Sequence, residues 1–182
     1  MRIIAGQFKG RRLKAPTWDG VRPTSDKLRE TLFNILAART PGARVLDGYA
    51  GTGAVGIEAL SRGADQVTFI EKDRRAAALI GENLRICGAE GGYTIECGDV
   101  PSVLRSVSTE TKFDLVLLDP PYDLANVKDA LEAAAAHLAD DGLMVLERAT
   151  RSEPDVPASL ARVRDVKSGD STLTFCRLAN RD

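Results

Sequence analysis

The chain has 182 residues, 43% of them hydrophobic and 28% charged, with a formal net charge of −1 at pH 7. This length suits one domain with a full core, and the near-neutral charge excludes a uniformly basic protein that binds polyanions over its whole surface. Because no stretch approaches the ~20 apolar residues of a membrane helix, and the first residues lack the apolar core of a signal peptide, we expect a cytoplasmic protein.

The positive charge is concentrated near the amino terminus. Residues 1–22 hold six lysines and arginines against a single acid, Asp19. The six are Arg2, Lys9, Arg11, Arg12, Lys14 and Arg22. Glycines at positions 6 and 10 indicate a small hairpin or an arm that can approach a phosphate backbone, where basic side chains supply affinity. A solvated basic surface without a ligand is the plainer interpretation of the charge alone.

A capped helix is predicted in the next segment, RPTSDKLRETLFNILAA, residues 22–38. Thr24 or Ser25 can accept the first free amide hydrogens, and Asp26 suits the positive end of a helix. The apolar side chains that fall on one face are Leu28, Leu32, Ile35 and Leu36.

From Arg44 onward, short apolar runs alternate with longer helical patterns, which is typical of a parallel sheet with crossover helices. The predicted strands span 44–47, 66–71, 93–97, 113–119 and 142–147. The predicted helices span about 54–62, 73–86, 100–107 and 126–138. In residues 161–179, apolar and polar residues alternate on both sides of a Gly-Asp-Ser turn, which predicts an antiparallel hairpin at the sheet edge. The fold class is therefore a doubly wound, mostly parallel α/β sheet with a C-terminal antiparallel hairpin.

The cysteines and the single histidine do not indicate a metal site or a disulfide. Cys87, Cys97 and Cys176 are widely spaced and form no CxxC pair, so we predict three buried or half-buried thiols and no metal. His137 is predicted near the end of the helix over 126–138, where a partly charged imidazole suits the negative helix end. We assign it no chemistry.

A glycine-rich loop, DGYAGTGAVG, follows the first predicted strand at residues 47–56. Gly51, Gly53 and Gly56 have the GxGxxG spacing, which lets a backbone turn tightly and pass close to a ligand. The pattern alone fits a dinucleotide, S-adenosylmethionine, or merely a tight turn between a strand and a helix.

Acidic residues end successive predicted strands, at the sheet edge where open α/β proteins bind ligands. Glu71 ends the second strand, where a carboxylate can bind both hydroxyls of a ribose. Asp99 follows the third strand and Asp119 ends the fourth. Asp47 would repel a pyrophosphate on the adjacent helix, whereas the ammonium and sulfonium groups of S-adenosylmethionine suit an acidic pocket. The loop favours the methyl donor, and a nicotinamide-dependent oxidoreductase remains the alternative.

The stretch LLDPPYD, residues 117–123, supplies groups for an acceptor amine. The Asp119 carboxylate and the Pro120 carbonyl can each accept a hydrogen bond from an exocyclic NH2 of a nucleobase, which orients its lone pair and stabilises the developing charge. Consecutive prolines stiffen the turn. The Tyr122 ring offers a surface on which a base removed from its stack can lie.

Together, RIIAGQFKGRRL, RPTSDKLRETLFNIL, DGYAGTGAVGIEALSRGA, the GD of CGDV and LLDPPYD resemble the RsmD-type 16S ribosomal RNA guanine-N2 methyltransferases. The resemblance spans nearly the whole chain, and its amino-terminal motifs are more specific than DPPY, which adenine methyltransferases share. It implies a Class I methyltransferase fold, S-adenosyl-L-methionine as cofactor, and methylation of one guanine in 16S ribosomal RNA, position 966 in the family's usual substrate.

The resemblance also implies the roles of individual residues. Cofactor contacts are expected at Gly51, Gly53, Glu71 and Asp99, and we add their neighbours Asp47, Tyr49, Lys72 and Val100. Asp119, Pro120 and Tyr122 are expected at the acceptor amine, and the six basic residues of the amino-terminal segment on RNA. Tyr49 and Thr52 stand where the family often has Phe and Ser, which should not disturb binding.

These expectations define two parts of the chain and a partner. Residues 1–22 are predicted to be a basic arm or hairpin for RNA, and residues 23–182 a methyltransferase domain. The expected partner is 16S ribosomal RNA or a small ribosomal subunit. We expect the protein to be a monomer and not to associate with a membrane. Two alternatives stay open: an adenine-N6 methyltransferase acting on DNA or RNA, and a non-catalytic RNA-binding assembly factor.

Overall fold

A computed structural model describes residues 1–18, 25–121 and 127–179. Its helices are α1 (Asp26–Ile35), α2 (Ala54–Ser61), α3 (Arg74–Cys87), α4 (Val100–Ser106) and α5 (Val127–Ala135). Its strands are β1 (Arg44–Gly48), β2 (Gln66–Glu71), β3 (Tyr93–Cys97), β4 (Phe113–Leu118), β5 (Leu138–Ala149), β6 (Leu160–Ser168) and β7 (Ser171–Leu178).

The described strands form one sheet with the order β3-β2-β1-β4-β5-β7-β6. The pairs from β3 to β5 are parallel, and β7 pairs antiparallel with both β5 and β6. The strand order reverses between β1 and β4, so the carboxyl ends of these two neighbours border the crevice where ligands of such sheets bind. The predicted doubly wound sheet with a C-terminal hairpin is confirmed.

Apolar side chains pack on both faces of the sheet. One cluster joins alternate residues of the strands, such as Val45, Leu117 and Val145, to α1, α2 and α3. The other joins the intervening residues, such as Leu46 and Leu118, to α4 and α5. Because successive strand residues point to opposite faces, these two sets show which face each functional side chain occupies at the strand ends.

Helix α1 begins as the sequence predicts. The Ser25 hydroxyl accepts a hydrogen bond from the amide of Leu28 at 3.1 Å and caps the helix. Leu28, Leu32 and Leu36 are buried on the face toward the sheet. Ile35 is only half-buried there. The spacing of apolar residues in the sequence therefore identified the face of α1 that packs on the sheet.

The helix predicted over 126–138 is wrong at its carboxyl end. Helix α5 ends at Ala135, and Leu138 already pairs with Phe113 as the first residue of β5. His137 consequently lies between the two elements and not in a helical last turn. Its side chain is buried, and its ring nitrogens lie 3.0 Å from the Thr111 carbonyl oxygen and 2.8 Å from that of Leu104. Strand pairing overrides the helical preference of the alanine-rich sequence.

The cysteine prediction is wrong at one position. Cys87 and Cys176 are buried, whereas Cys97 at the end of β3 is exposed. Among the described residues, no cluster of three or more His, Cys, Asp and Glu side chains could hold a metal ion. In the same residues, no helix combines the length and the apolar character that crossing a bilayer requires.

The N-terminal hairpin, residues 1–14, packs on α2 and α3. It closes through an antiparallel bridge between Arg2 and Arg12, and Ile3, Phe8 and Leu13 join the main core. Burying these three side chains makes the segment part of the packed domain.

Buried polar side chains anchor the N-terminal hairpin. The Glu58 carboxylate accepts hydrogen bonds from the amides of Ile4 (2.8 Å) and Ala5 (3.0 Å). Asn83, also buried, accepts from the Lys14 amide at 2.8 Å and donates to the Thr52 carbonyl at 3.0 Å. Because Thr52 belongs to the glycine loop, Asn83 connects the hairpin to that loop.

Candidate functional site

The glycine loop adopts backbone angles that require glycine. Gly51 has φ 55° and Gly53 has φ 76°, in the left-handed region that side chains rarely adopt. Gly53 is also the residue that caps α2. A Cβ on Gly53 would lie 3.0 Å from Ile80 Cγ2, so the loop packs tightly on α3. The sequence prediction of a close turn is confirmed at these positions.

Asp47 and Gly56 join the end of β1 to α2. The Asp47 carboxylate accepts a hydrogen bond from the Gly56 amide at 2.8 Å. A Cβ on Gly56 would lie 2.3 Å from Phe69 Cε1, so only glycine allows this approach of helix and strand. Burial and, to a smaller extent, the charge of Glu71 raise the pKa of Asp47 to about 8, against the opposing effect of the hydrogen bond from the Gly56 amide.

Glu71 holds the glycine loop from the end of β2. Its Oε2 accepts from the Gly51 amide at 2.8 Å, and its Oε1 accepts from the Asp73 amide at 2.9 Å. A carboxylate has about four acceptor positions, so these two bonds are compatible with binding ribose hydroxyls as well. The structure therefore shows a second role that the sequence did not predict, which is to fix the loop.

Tyr49 is strained at the start of the loop. It has φ 63°, in the left-handed region, where a non-glycine residue is uncommon and often functional. Its half-buried phenol lies near two carboxylates. Burial, with the charges of Asp99 and Asp129, raises the pKa of Tyr49 to about 12, so the phenol stays neutral.

The remaining cofactor candidates lie beside the ends of β2 and β3. Asp99 is exposed at the N-cap position of α4, and the Ser102 hydroxyl donates to its Oδ2 at 3.2 Å. Val100 is buried as the first residue of α4. Lys72 is exposed directly after β2. The topology thus brings the predicted cofactor residues to one edge of the sheet, at the carboxyl ends of β1, β2 and β3.

The predicted acceptor residues lie at the end of β4, next to β1. Asp119 is half-buried and Pro120 is buried. The Asp119 amide approaches the Gly48 carbonyl oxygen at 3.4 Å, which keeps the start of the turn beside the glycine loop. Tyr122 lies outside the described residues. The cofactor loop and the first two residues of the predicted acceptor site are therefore neighbours.

A cavity, here called the α1 cavity, lies between α1 and the carboxyl ends of the central strands. Three acids on adjacent strands line it, namely Asp47, Asp119 and Glu147. Its apolar walls include Leu28, Leu32, Leu117, Val145 and Leu173. Sequence reasoning missed Glu147 as a site residue. Glu147 ends the strand predicted over 142–147, although β5 continues to Ala149, so the rule of acids at the ends of predicted strands could have identified it.

Five of the six predicted RNA-binding residues lie on or beside the bridge of the N-terminal hairpin. Arg2, Lys9, Arg11, Arg12 and Lys14 are exposed. The Lys14 ammonium pairs with the Glu82 carboxylate at 2.8 Å, so part of its charge is neutralised within the protein. Arg22 lies outside the described residues. Sequence reasoning missed Glu58 and Asn83, whose polarity did not indicate burial beneath this hairpin.

Known proteins resemble this chain over most of its length. The family model described as Conserved hypothetical protein 95 matches residues 1–177. Ribosomal RNA small subunit methyltransferase D of Escherichia coli K12 is 37% identical over 172 residues, covering 93% of this chain and 85% of that protein. The protein of the same name from Haemophilus influenzae is 39% identical over 133 residues, covering 72% of this chain and 68% of that protein.

A solved structure shares the architecture. The structure of a hypothetical protein from Thermus thermophilus has a TM-score of 0.83 and 31% identity, and the match covers 98% of this chain and 99% of that chain. The sheet order and its antiparallel C-terminal hairpin are those of the Class I methyltransferase fold, as predicted. The chain therefore belongs to the family described as Conserved hypothetical protein 95, and the RsmD-type resemblance of its motifs is confirmed.

Proposed function

We propose that this protein methylates the exocyclic N2 amine of a specific guanine in 16S ribosomal RNA, with S-adenosyl-L-methionine as methyl donor. The observation that supports this most directly is the position of Asp119 and Pro120 beside the glycine loop, at the switch point of the sheet. The relatives from E. coli and H. influenzae, named as small-subunit ribosomal RNA methyltransferases, support the RNA substrate. A ribosomal RNA substrate also agrees with the expected cytoplasmic location of this protein.

The residues of the loop fit this cofactor. Gly53 and Gly56 let the loop pack closely on Ile80 and Phe69, where a Cβ would clash, and this packing holds the turn beside which the cofactor would bind. Asp47, Glu71 and Asp99 surround the loop with carboxylates, which suit the cationic amino acid part and the ribose of the donor. When bound, S-adenosylmethionine supplies a methyl group on a sulfonium, which makes the carbon electrophilic. No metal or covalent nucleophile of the protein is needed.

The protein then has to orient a weak nucleophile. The lone pair of an exocyclic guanine amine is delocalised into the ring, which lowers its reactivity. Hydrogen bonds from this amine to the Asp119 carboxylate and the Pro120 carbonyl direct the lone pair and stabilise the positive charge that develops on nitrogen. Tyr122 is proposed, from its place in DPPY, to stack on the extruded base.

The identity of the methylated nucleoside tests this function. Small ribosomal subunits and their naked RNA, both from cells lacking the modification, are incubated with the protein and labelled S-adenosylmethionine, and the RNA is then digested to nucleosides. We expect N2-methylguanosine, and the better substrate shows at which stage of assembly the protein acts. N6-methyladenosine in the digest would instead identify adenine as the methylated base. Cofactor binding without methyl transfer to either RNA would move the acceptor outside the ribosome, and no cofactor binding would favour an assembly factor.

Cofactor binding is expected to depend on pH through Asp47. The raised pKa means that this carboxyl stabilises the folded protein at low pH, and this stability is lost as the pH rises from about 4 to about 8. A cationic ligand favours the ionised form. We therefore expect the cofactor dissociation constant to fall by up to about tenfold per pH unit between pH 6 and pH 8, with release of a proton.

Calorimetry in two buffers of different ionisation enthalpy measures the number of protons released when the cofactor binds. The variant Asp47→Asn keeps a similar shape but has no proton to release, so its binding should not depend on pH in this range. Asp114→Asn, at the exposed start of β4, is the control and should behave as the wild type. Equal proton release by Asp47→Asn and the wild type would contradict the assignment.

RNA affinity is expected to depend on the exposed arginines of the N-terminal hairpin. Replacing Arg11 and Arg12 by glutamine should weaken RNA binding and reduce the slope of log K against log salt by roughly 0.7–0.9 for each phosphate that is no longer neutralised. Cofactor affinity should not change. A titration of labelled RNA at several salt concentrations measures the slope.

The matched control replaces Arg44 and Lys112 by glutamine. These residues are also exposed, but Arg44 begins β1 and Lys112 directly precedes β4, at the amino ends of the strands and away from the glycine loop. This double variant removes the same net charge and should keep most of the slope. An unchanged slope for the Arg11 and Arg12 variant would place the RNA on another surface.

A further inference from the structure

The side chains of Asp119 and Glu147 are adjacent in the α1 cavity. Leu118 pairs with Leu146 as the last pair in the parallel register of β4 and β5, so Asp119 and Glu147 are the next residues along the two chains. Neighbouring strands lie about 4.8 Å apart. Leu117 and Val145, two residues earlier, both belong to the core cluster on the α1 side. The two carboxylates therefore point to the same face, under α1.

Glu147 is held at the boundary between the parallel sheet and the C-terminal hairpin. It pairs with Leu173 of β7, and the Ser171 hydroxyl donates to its Oε1 at 3.1 Å. The side chain is half-buried and lines the α1 cavity together with Leu28 and Leu173. A carboxylate can accept several hydrogen bonds at once, so the bond from Ser171 does not exclude a donor in the cavity.

The two purines differ beside their exocyclic amines. In guanine, the N1 atom next to the 2-amine carries a hydrogen and donates, as the amine does. In adenine, the N1 atom next to the 6-amine has a lone pair and accepts. A carboxylate next to Asp119 would therefore accept a hydrogen bond from guanine and repel the lone pair of adenine.

From this arrangement we infer that Glu147 is a specificity-determining residue that accepts the N1 hydrogen of the target guanine while Asp119 and Pro120 hold its 2-amine. The inference rests on the proposed function and adds the side chain that distinguishes guanine from adenine. It explains how a DPPY turn, whose acceptors suit either amine, selects guanine. A role of Glu147 restricted to holding β7 through Ser171 is the competing explanation.

The probe is 2-aminopurine, which has the 2-amine of guanine but an N1 lone pair in place of the N1 hydrogen. Small-subunit RNA joined from two pieces carries either guanine or 2-aminopurine at the position that the wild-type protein methylates. For each RNA, kcat/KM is measured with the wild type and with Glu147→Gln. The carboxamide of glutamine can donate to an N1 lone pair, which a carboxylate cannot do.

We expect the wild type to prefer guanine over 2-aminopurine by about tenfold to a hundredfold, the discrimination typical of one specific base-edge contact. Glu147→Gln should reduce this preference by at least about tenfold, through a loss on guanine and a gain on 2-aminopurine. Comparing the two ratios cancels the different intrinsic reactivity of the two amines. Glu90→Gln, an exposed glutamate after α3, should keep the wild-type ratio.

Each outcome decides the inference. A Glu147→Gln variant that loses activity equally on both bases would overturn it and favour the structural role of the Ser171 contact. If this variant does not bind the cofactor, the kcat/KM ratio of the wild type on the two RNAs is the test. Equal kcat/KM on guanine and 2-aminopurine would also overturn the inference. The proposed function fails separately, since it requires that the wild type form N2-methylguanosine in the guanine RNA.

Discussion

Replacing Asp119 by alanine is expected to reduce methyl transfer by about a hundredfold to ten-thousandfold, the range that a positioned acid or base group contributes. The carboxylate lies at the end of β4 beside the glycine loop, where it orients the amine and stabilises its developing charge. Single-turnover rates with saturating cofactor and RNA measure the loss, because product release then does not mask the chemical step.

The same strand offers a matched control for this prediction. Asp114, at the other end of β4, is exposed, and its carboxylate accepts a hydrogen bond from the Arg44 amide at 2.7 Å, far from the glycine loop. Asp114→Ala should keep the rate of methyl transfer. Asp119→Ala should keep its cofactor affinity within a few fold and its fold by circular dichroism. Full activity of Asp119→Ala would exclude the proposed amine contact.

Replacing Glu58 by leucine is expected to lower the free energy of unfolding by about 3–5 kcal/mol. Glu58 is fully buried, and its carboxylate accepts from the amides of Ile4 and Ala5 and from Arg62 Nε at 2.8 Å. Leucine fills a similar volume but accepts no hydrogen bond, so two amides and one guanidinium lose their partner. The loss is large because the carboxylate is fully buried and three half-buried donors lose a charged acceptor at the same time.

Denaturant unfolding measures this change, and hydrogen exchange locates it. In Glu58→Leu, the amides of Ile3, Gly10 and Leu13, which bond within the N-terminal hairpin, should exchange faster than those of β1 and β4. The control Glu30→Leu changes an exposed residue of α1 and should stay within about 0.5 kcal/mol of the wild type. Unchanged stability of Glu58→Leu would mean that the hairpin does not depend on its buried carboxylate.

Local patterns in the sequence predicted much of the fold and part of the candidate site. The periodicity of apolar residues distinguished helices from strands, because burial on one face repeats with the geometry of each element. The acids at strand ends could be grouped, because parallel strands end at one edge of a sheet. The glycines of the loop could be assigned, because few other residues adopt their angles.

Other features depend on contacts between distant parts of the chain. The alanine-rich end of α5 favours a longer helix, but pairing of Leu138 with Phe113 starts β5 earlier. His137 is buried as a result, and its ring nitrogens lie within hydrogen-bond distance of carbonyl oxygens from two other segments. No local pattern contains these partners, so the boundary could not be found from propensity.

The doubly wound sheet, the glycine loop and the DPPY motif could be recognised in the sequence, because the pattern that signals each one lies within a short stretch of the chain. The burial of Glu58 and Asn83 under the N-terminal hairpin, and the cavity that Glu147 shares with Asp119, became visible only in the folded chain. A charged or polar residue is buried when distant groups supply its hydrogen bonds, and the identity of those groups follows from the packing of the whole chain.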